Sequence, residues 1–227
     1  MKKVMFTSEN TLAQQCYEQL QRDIITGVLK PGEKLKVQAL KDRFAIGQSP
    51  IREALSRLAA FSLVDLEENK GFRVAVISEA DIRDTYATFT AIENRALFLS
   101  MQHGDDAWEA LVVGALHRLS LIEQRNLFDC YAAWAERNYD FHVALISACQ
   151  SPILLSIRHH LYMKFDRYCR MAYHLAQQDL VINNHEHNEL AQAVLARDVK
   201  RVEALNEYHI NGAIEEVVAR FKQNDLM

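Results

Sequence analysis

The stretch GQSPIREALSRL, residues 47–58, begins with turn-forming residues and continues with apolar residues at helical spacing. Pro50 falls in the first helical turn, where its missing N–H removes no hydrogen bond, and Ser49 is the predicted N-cap. Arg52 and Arg57 lie among the apolar positions. A helix of this kind can direct its first turn at a neighbouring helix, a phosphate group or the edge of a base pair, and the flanking segments decide which.

The segments around this helix predict a winged helix-turn-helix. Two segments before it have apolar residues at helical spacing, and two segments after it alternate like β-strands. The predicted helices are residues 11–27 and 37–44, then the quoted helix to about residue 61, and the predicted strands are residues 63–67 and 72–77. Gly71 ends the connection between these strands, because glycine readily adopts the positive φ that a tight hairpin turn needs.

The rest of the chain shows only helical periodicity. Ser78 is placed to cap the first helix, with Asp81 in its first turn. The predicted helices are residues 79–103, 105–125, 128–149, 151–177, 179–196 and 198–223. We therefore expect a mainly α protein with two domains, a winged helix-turn-helix with a small β-hairpin at residues 1–78 and an all-α helical bundle at residues 79–227.

Composition narrows the class of protein. The 227 residues include only 7 glycines and 3 prolines, which favours long helices over many short strands. No apolar run reaches 18 residues and the first residues do not resemble a secretory signal, so we expect no membrane span. The cysteines form no CxxC pair, which is typical of free thiols in the cytoplasm. Residues 1–80 have a net charge of +2 and residues 81–227 one of −6, a difference that permits DNA binding by the first domain without requiring it.

In a helix-turn-helix the second helix of the pair enters the major groove with its first turn toward the bases. Glutamine can hydrogen-bond adenine, arginine can bond guanine or phosphate, and a lysine at the hairpin tip can reach the backbone. The predicted DNA contacts are Lys36, Gln38, Gln48, Ser49, Arg52, Arg57, Lys70 and Gly71. The alternative is that Arg52 and Arg57 only keep one helix face in water.

Two stretches, YEQLQRDIITGVLKPGEKL and LKDRFAIGQSPIREALSRLAAFSLVDLEENKGFRV, resemble the DNA-binding domain of GntR-type bacterial transcription regulators. The later helices resemble the FadR-type effector domain called FCD. By this resemblance Arg52 matches the recognition-helix arginine and Gly71 the wing glycine, whereas Gln38 and Gln48 stand where relatives often have arginine. The resemblance implies a homodimer on a near-palindromic DNA operator, with a small carboxylate that alters its affinity.

All 9 histidines follow residue 100, and three of them occur in a notable pattern. Asn138 and His142 are four residues apart and share a helix face, while His187 and His209 lie on two later helices. This pattern resembles the metal site of FCD domains, with Asn138 where relatives usually have aspartate. Three imidazoles and one oxygen suit Zn²⁺ or Ni²⁺. The alternatives are a polar pocket without metal, or Asp140 in place of Asn138.

The effector contacts are predicted from two helices of the second domain. Relatives often have an arginine near Phe89, so this residue either narrows the effector pocket or belongs to the core. The stretch KFDRYCRMAY offers Arg167, Arg170 and Tyr173, which otherwise form a solvated or dimer-facing stripe. We expect these four residues to contact a small organic acid.

We interpret the chain as a cytoplasmic transcription regulator, most simply a repressor, and not as an enzyme. The segment HEHNE is not the HExxH of zinc proteases, because the position of its second histidine is Glu189. Two alternatives stay open: a metal-dependent hydrolase that uses His142, His187 and His209, and a helical scaffold that binds other proteins.

Overall fold

The computed structural model describes residues 11–67, 70–125, 127–175 and 184–227. These residues form two compact units. The first comprises the described residues up to 82 together with 160–175 and 218–227, and the second comprises 83–159 and 184–217. The predicted domain boundary between residues 78 and 79 stays a prediction.

The first unit begins with the helix-turn-helix and its sheet. Its helices and strands are α1 (Leu12–Ile25), β1 (Lys34–Leu35), α2 (Val37–Phe44), α3 (Gln48–Ala60), β2 (Val64–Glu67) and β3 (Gly71–Val74). The strands form an antiparallel sheet in the order β1-β3-β2, with Val64 opposite Val74 and Glu67 opposite Gly71. The sequence predicts the β2–β3 hairpin but not β1, because two residues are too few to show alternation.

The start of α3 differs from the prediction by two residues. Gly47 is the N-cap in extended backbone, and its helix begins at Gln48 rather than after Ser49. Pro50 is therefore the third helical residue, and its missing N–H removes no hydrogen bond because an N–H at this position would have no acceptor within the helix. The apolar face of α3 is fully buried through Ile51, Leu55 and their neighbours, which fixes the opposite face toward solvent.

The long helices follow the predicted ones closely. They are α4 (Glu79–His103), α5 (Asp106–Glu123), α6 (Leu127–Ile146), α7 (Pro152–Leu175), α8 (Asn184–Leu195) and α9 (Val199–Gln223). The Ser78 hydroxyl accepts a hydrogen bond from the Asp81 N–H, as the capping pattern predicts. The predicted end of α7 and start of α8 fall in residues 176–183, outside the described residues.

Each unit has its own apolar core. In the first, α1, α2, α3 and the sheet bury residues such as Leu20, Phe44 and Leu55. In the second, α4, α5, α6 and α8 enclose residues such as Val112, Phe141 and Leu190, and α9 adds Val202. The mainly α fold class is confirmed by this architecture. Within the described ranges, we find no helix with the length and hydropathy of a membrane span.

Candidate DNA-binding surface and histidine cluster

The first turns of α3 present polar side chains to solvent. Gln48, Ser49 and Arg52 are all exposed, while Ile51 and Leu55 on the other side of the helix are completely buried. The buried residues fix the rotation of α3 about its axis, so that the exposed side chains form one face. Such a face can enter a major groove with its side chains toward the base edges.

The other predicted DNA contacts are spread over α2 and the hairpin. Lys36 precedes α2 and is exposed, and the exposed Gln38 donates to the Asp42 carboxylate over 3.0 Å. Lys70 and Gly71 are exposed at the hairpin. Gly71 has a φ of +88°, which confirms the predicted positive φ.

Two arginines of the helix-turn-helix have partners inside the first unit. The Arg57 guanidinium lies 4.3 Å from the centre of the Tyr17 ring on α1. Arg43 is paired with Asp23 at 2.5 Å, and both side chains are largely buried. These contacts give both arginines a stabilising role in the domain, and the predicted DNA contact of Arg57 is not tested by them.

In the second unit, three of the predicted metal ligands come together. The ring nitrogens of His142, His187 and His209, one from each histidine, lie within 4.8 Å of one another. The ring centres are 5.7 Å apart for His142 and His187, and 4.9 Å apart for His187 and His209. We call these three residues the histidine cluster.

One atom of the histidine cluster, the Nε2 of His187, is buried and has no hydrogen-bond partner among the described residues. The same holds for the Oδ1 of Asn138, which is one helical turn before His142 on α6. A buried polar atom without a partner is costly, so such atoms commonly mark the place of a ligand or an ion. Asp140, the alternative to Asn138, instead faces Arg137 at 3.8 Å.

Two carboxylates that the sequence analysis missed contact the histidine cluster. Glu123 on α5 lies 2.8 Å from the Nδ1 of His187, and Glu186 on α8 lies 2.6 Å from the Nδ1 of His209. Glu123 also accepts a 3.3 Å hydrogen bond from the indole N–H of Trp134. Glu123 is separated from His187 by 64 residues, so no local spacing links them. The contact between Glu186 and His209 likewise depends on how α8 and α9 pack.

Burial lowers the pKa of two of these imidazoles. Burial lowers the pKa of His142 well below its usual 6.5, with further lowering by His209, His187 and Arg158. Burial also lowers the pKa of His187, although the hydrogen bond to Glu123 opposes this effect. Neutral imidazoles are the form that binds a metal ion.

A buried ion pair lies in the same unit and was also missed. The Arg158 guanidinium donates to both Glu93 carboxylate oxygens, at 2.7 Å from Nε and 3.0 Å from Nη2. It lies 5.5 Å from the centre of the Phe89 ring and 5.9 Å from that of Tyr139. Phe89 is only 4% exposed, which fits the prediction of a core residue.

The other predicted effector contacts belong to the first unit and have partners there. Arg167 is completely buried, and its Nη2 donates to the Ala75 carbonyl over 2.7 Å, whereas its Nε and Nη1 have no hydrogen-bond partner among the described residues. Arg170 is paired with Asp166 at 2.6 Å, and the Tyr173 ring meets the edge of His174. The four predicted residues therefore do not converge within either unit.

The comparisons with known proteins identify the class. Residues 12–74 match the family described as bacterial regulatory proteins of the gntR family, and residues 84–212 match the FCD domain. The chain belongs to the GntR family of transcription regulators with an FCD domain, and it is a DNA-binding transcription regulator of this type. The resemblance seen in the sequence is confirmed.

Two relatives that cover most of this chain have names that describe them as HTH-type transcriptional regulators. The uncharacterized HTH-type transcriptional regulator BphR of Paraburkholderia xenovorans is 38% identical, covering 96% of this chain and 89% of its own length. The HTH-type transcriptional repressor GlaR of Escherichia coli is 35% identical, covering 86% of this chain and 90% of its own length. The solved structure of E. coli McbR/YncC covers 95% of this chain and 99% of its own, with a TM-score of 0.68 and 18% identity, and supports the fold alone.

Proposed function

We propose that this regulator is a repressor whose affinity for a near-palindromic operator changes when a small carboxylate binds at the histidine cluster. The observation that carries the proposal is the convergence of three imidazoles, one of which, His187, has a buried Nε2 without a hydrogen-bond partner among the described residues. The Oδ1 of Asn138, one helical turn before His142, is buried and unpartnered in the same way. The name of GlaR, a repressor, supports repression as the sign of regulation. We expect a homodimer in the cytoplasm, with one helix-turn-helix for each half of the operator.

The histidine cluster and Asn138 would hold a divalent transition metal, Zn²⁺ or Ni²⁺. The unpartnered Nε2 and Oδ1 atoms are acceptors of the kind such ions prefer, so the donor set fits the ion. When bound, the ion would offer coordination positions to a carboxylate.

Arg158 is our proposed second contact for the effector. It is a buried cation whose charge acts on His142, and it holds its own carboxylate, Glu93, in a bidentate pair. The planar fork of arginine binds carboxylates in a bidentate way, so an acidic effector could replace Glu93 at this guanidinium if its binding compensates for the cost of leaving the buried Glu93 without its partner. Phe89 would form the apolar wall beside it. Effector contacts by Arg167, Arg170 and Tyr173 stay predictions.

Binding of the purified protein to duplex DNA tests the proposal. We expect a near-palindromic site from its own promoter region to bind tightly, with a steep loss of affinity as salt rises, and scrambled DNA to bind weakly. A series of small mono- and dicarboxylic acids is then titrated by calorimetry into the protein with and without operator. We expect the acid to bind with different affinity in the presence and absence of operator. If the acid changes operator affinity by some factor, the operator must change acid affinity by the same factor.

Two variants separate the parts of this proposal. Arg52→Ala should weaken operator binding and keep acid binding, whereas His187→Ala should lose acid binding and keep operator binding. Equal acid affinity with and without operator would contradict effector control. Absence of any DNA preference, together with metal-dependent hydrolysis of esters or amides, would favour the hydrolase alternative. Neither Glu123 nor Glu186 is placed as a general base for that reaction, since each is held on an imidazole Nδ1.

A further inference from the structure

None of the side chains that would bind the metal is anionic, but carboxylates lie directly behind two of them. His142, His187, His209 and Asn138 bring no negative charge to a divalent ion. Two of the three imidazoles have a carboxylate on Nδ1, which leaves Nε2 as the ring nitrogen open to an ion. An ion bound at Nε2 would have a carboxylate on the far side of each of these two rings.

Of the two carboxylates, Glu123 is the more deeply buried. Its side chain is 1% exposed and that of His187 is 2% exposed, so the 2.8 Å contact between them is shielded from water. Its other carboxylate oxygen, Oε2, has no hydrogen-bond partner among the described residues. In a protein without metal, this buried carboxylate is only partly compensated, which makes it a costly group to keep for stability alone.

Glu186 repeats the arrangement on a second histidine. Its carboxylate lies 2.6 Å from the Nδ1 of His209, with side-chain exposures of 18% and 24%. Each carboxylate accepts the Nδ1–H hydrogen bond, so each imidazole keeps its Nε2 lone pair for another partner. For His187 that Nε2 is the buried atom without a partner.

We propose that Glu123 and Glu186 are positioning residues that supply the negative charge of the metal site from behind His187 and His209. They fix the tautomer in which Nε2 binds the ion, and their two charges balance those of a divalent cation. Outer carboxylates of this kind raise the basicity of a ligating imidazole and typically change metal affinity by about 10-fold to 100-fold. The proposal rests on the metal part of the proposed function.

Zinc binding by Glu123→Gln and Glu186→Gln tests this proposal in the full-length protein. Both variants keep a hydrogen-bond acceptor but remove the charge. Zinc affinity is measured by competition with a chromophoric chelator, and stoichiometry by elemental analysis. We expect Glu123→Gln to bind zinc at least about tenfold more weakly, and Glu186→Gln to show a smaller loss because water screens it.

The matched control is Glu189→Gln. Glu189 lies on the same helix as Glu186, but its carboxylate faces the exposed His185 at 3.4 Å instead of the histidine cluster. This variant removes the same charge from α8 and should keep zinc affinity within about twofold of the wild type.

The metal-free unfolding temperature distinguishes positioning from a structural role. We expect metal-free Glu123→Gln to be as stable as the wild type or more stable, because the substitution removes a buried charge whose Oε2 has no hydrogen bond. Weaker zinc binding without loss of metal-free stability would support the proposal. Equal zinc affinity in Glu123→Gln and the wild type would overturn it. If Glu123→Gln does not fold, the zinc affinities of Glu186→Gln and Glu189→Gln decide. Weaker zinc binding in Glu186→Gln alone would support the proposal, and equal zinc affinity in these two variants would overturn it.

The two proposals can fail separately. A wild type that binds neither zinc nor nickel overturns the positioning role together with the metal, but operator binding and acid binding by the same preparation would leave effector control intact. Conversely, tight zinc binding that depends on Glu123, with no acid binding, would support the positioning role and contradict effector control.

Discussion

The exposed face of α3 and the histidine cluster are both polar sites, but they are built in opposite ways. The α3 face lies on a fully apolar base, so its polar side chains are free to meet DNA in water. The histidine cluster is enclosed by helices, and its polar atoms depend on carboxylates from other helices. Substitutions in the first should therefore change binding and leave stability intact, whereas in the unit that holds the second, removing one partner of a buried charge pair should also lower stability.

The largest effect is expected from Arg158→Ala in the second unit. The side chains of Arg158 and Glu93 are 3% and 2% exposed, so the variant leaves a buried carboxylate without its bidentate partner. We expect a loss of about 3–5 kcal/mol in the free energy of unfolding. Urea denaturation followed by tryptophan fluorescence measures it, because Trp108 and Trp134 both belong to this unit.

The matched control for this prediction removes both charges at once. Arg158→Met combined with Glu93→Leu should recover most of the lost stability, because neither partner is then left alone. A loss below about 1 kcal/mol in Arg158→Ala would mean that Glu93 finds another partner or water, and would contradict the comparison.

Arg52→Ala should show the opposite behaviour. Its side chain is exposed on the first turns of α3, so its removal should leave the free energy of unfolding within about 0.5 kcal/mol of the wild type. Operator binding should weaken by about 1–3 kcal/mol, and preference for one base should relax. Fluorescence anisotropy at fixed salt measures the affinity. Unchanged affinity for all operator variants would remove α3 from the DNA interface.

Acid sensitivity should be concentrated at the histidine cluster. The pKa of His142 and of His187 is lowered from 6.5 in the folded protein. Below about pH 6.5 these two histidines therefore bind more protons in the unfolded chain than in the folded one. The free energy of unfolding should therefore fall with falling pH, by up to about 1.4 kcal/mol per pH unit for each histidine. Unfolding of chelator-treated protein between pH 7.5 and 5 measures this slope.

The variant His142→Gln isolates that effect from the titration of carboxylates. This variant should show a smaller fall in the free energy of unfolding per pH unit between pH 6.5 and 5. Residues 1–78 contain no histidine and so add no histidine titration to this fall. An identical slope in the wild type and the variant would show that His142 is protonated in the folded state.

The smallest effect is expected from Arg57→Ala, which sharpens the comparison inside α3 itself. Because its guanidinium packs on the Tyr17 ring, we expect a loss of about 0.5–1 kcal/mol in stability and a smaller loss of operator affinity than in Arg52→Ala. In a Tyr17→Leu background the stability loss should disappear. Unchanged stability with a loss of DNA binding equal to that of Arg52→Ala would instead make Arg57 a DNA contact.

The sequence predicted the helices and the hairpin turn, because these depend on the spacing and type of neighbouring residues. Helical spacing predicted α2 and α4 with the observed ends, and Gly71 identified the turn of the hairpin. The convergence of His142, His187 and His209 followed from a family resemblance whose spacings this chain matches. Local periodicity alone gives no distance between residues on separate helices.

What the sequence did not predict depends on packing between distant segments. Glu123 contacts a histidine 64 residues away, and Arg158 pairs with a glutamate 65 residues away. In the local sequence, neither Glu123 nor Arg158 differs from a charged residue on the exposed face of a helix, so their contacts could not be predicted. The hydrogen bond from Arg167 to the Ala75 carbonyl also joins residues far apart in the chain, and the predicted effector contact of Arg167 stays a prediction.

The membership of residues 160–175 in the first unit has a consequence for exchanging parts between regulators. In that unit His160 stacks on Phe61 at 4.7 Å, and Arg167 donates to the Ala75 carbonyl. A chimera that transfers only residues 1–78 to another effector domain would leave Phe61 and Ala75 facing foreign side chains. A working biosensor made from this DNA-binding domain therefore has to carry the matching part of α7 with it.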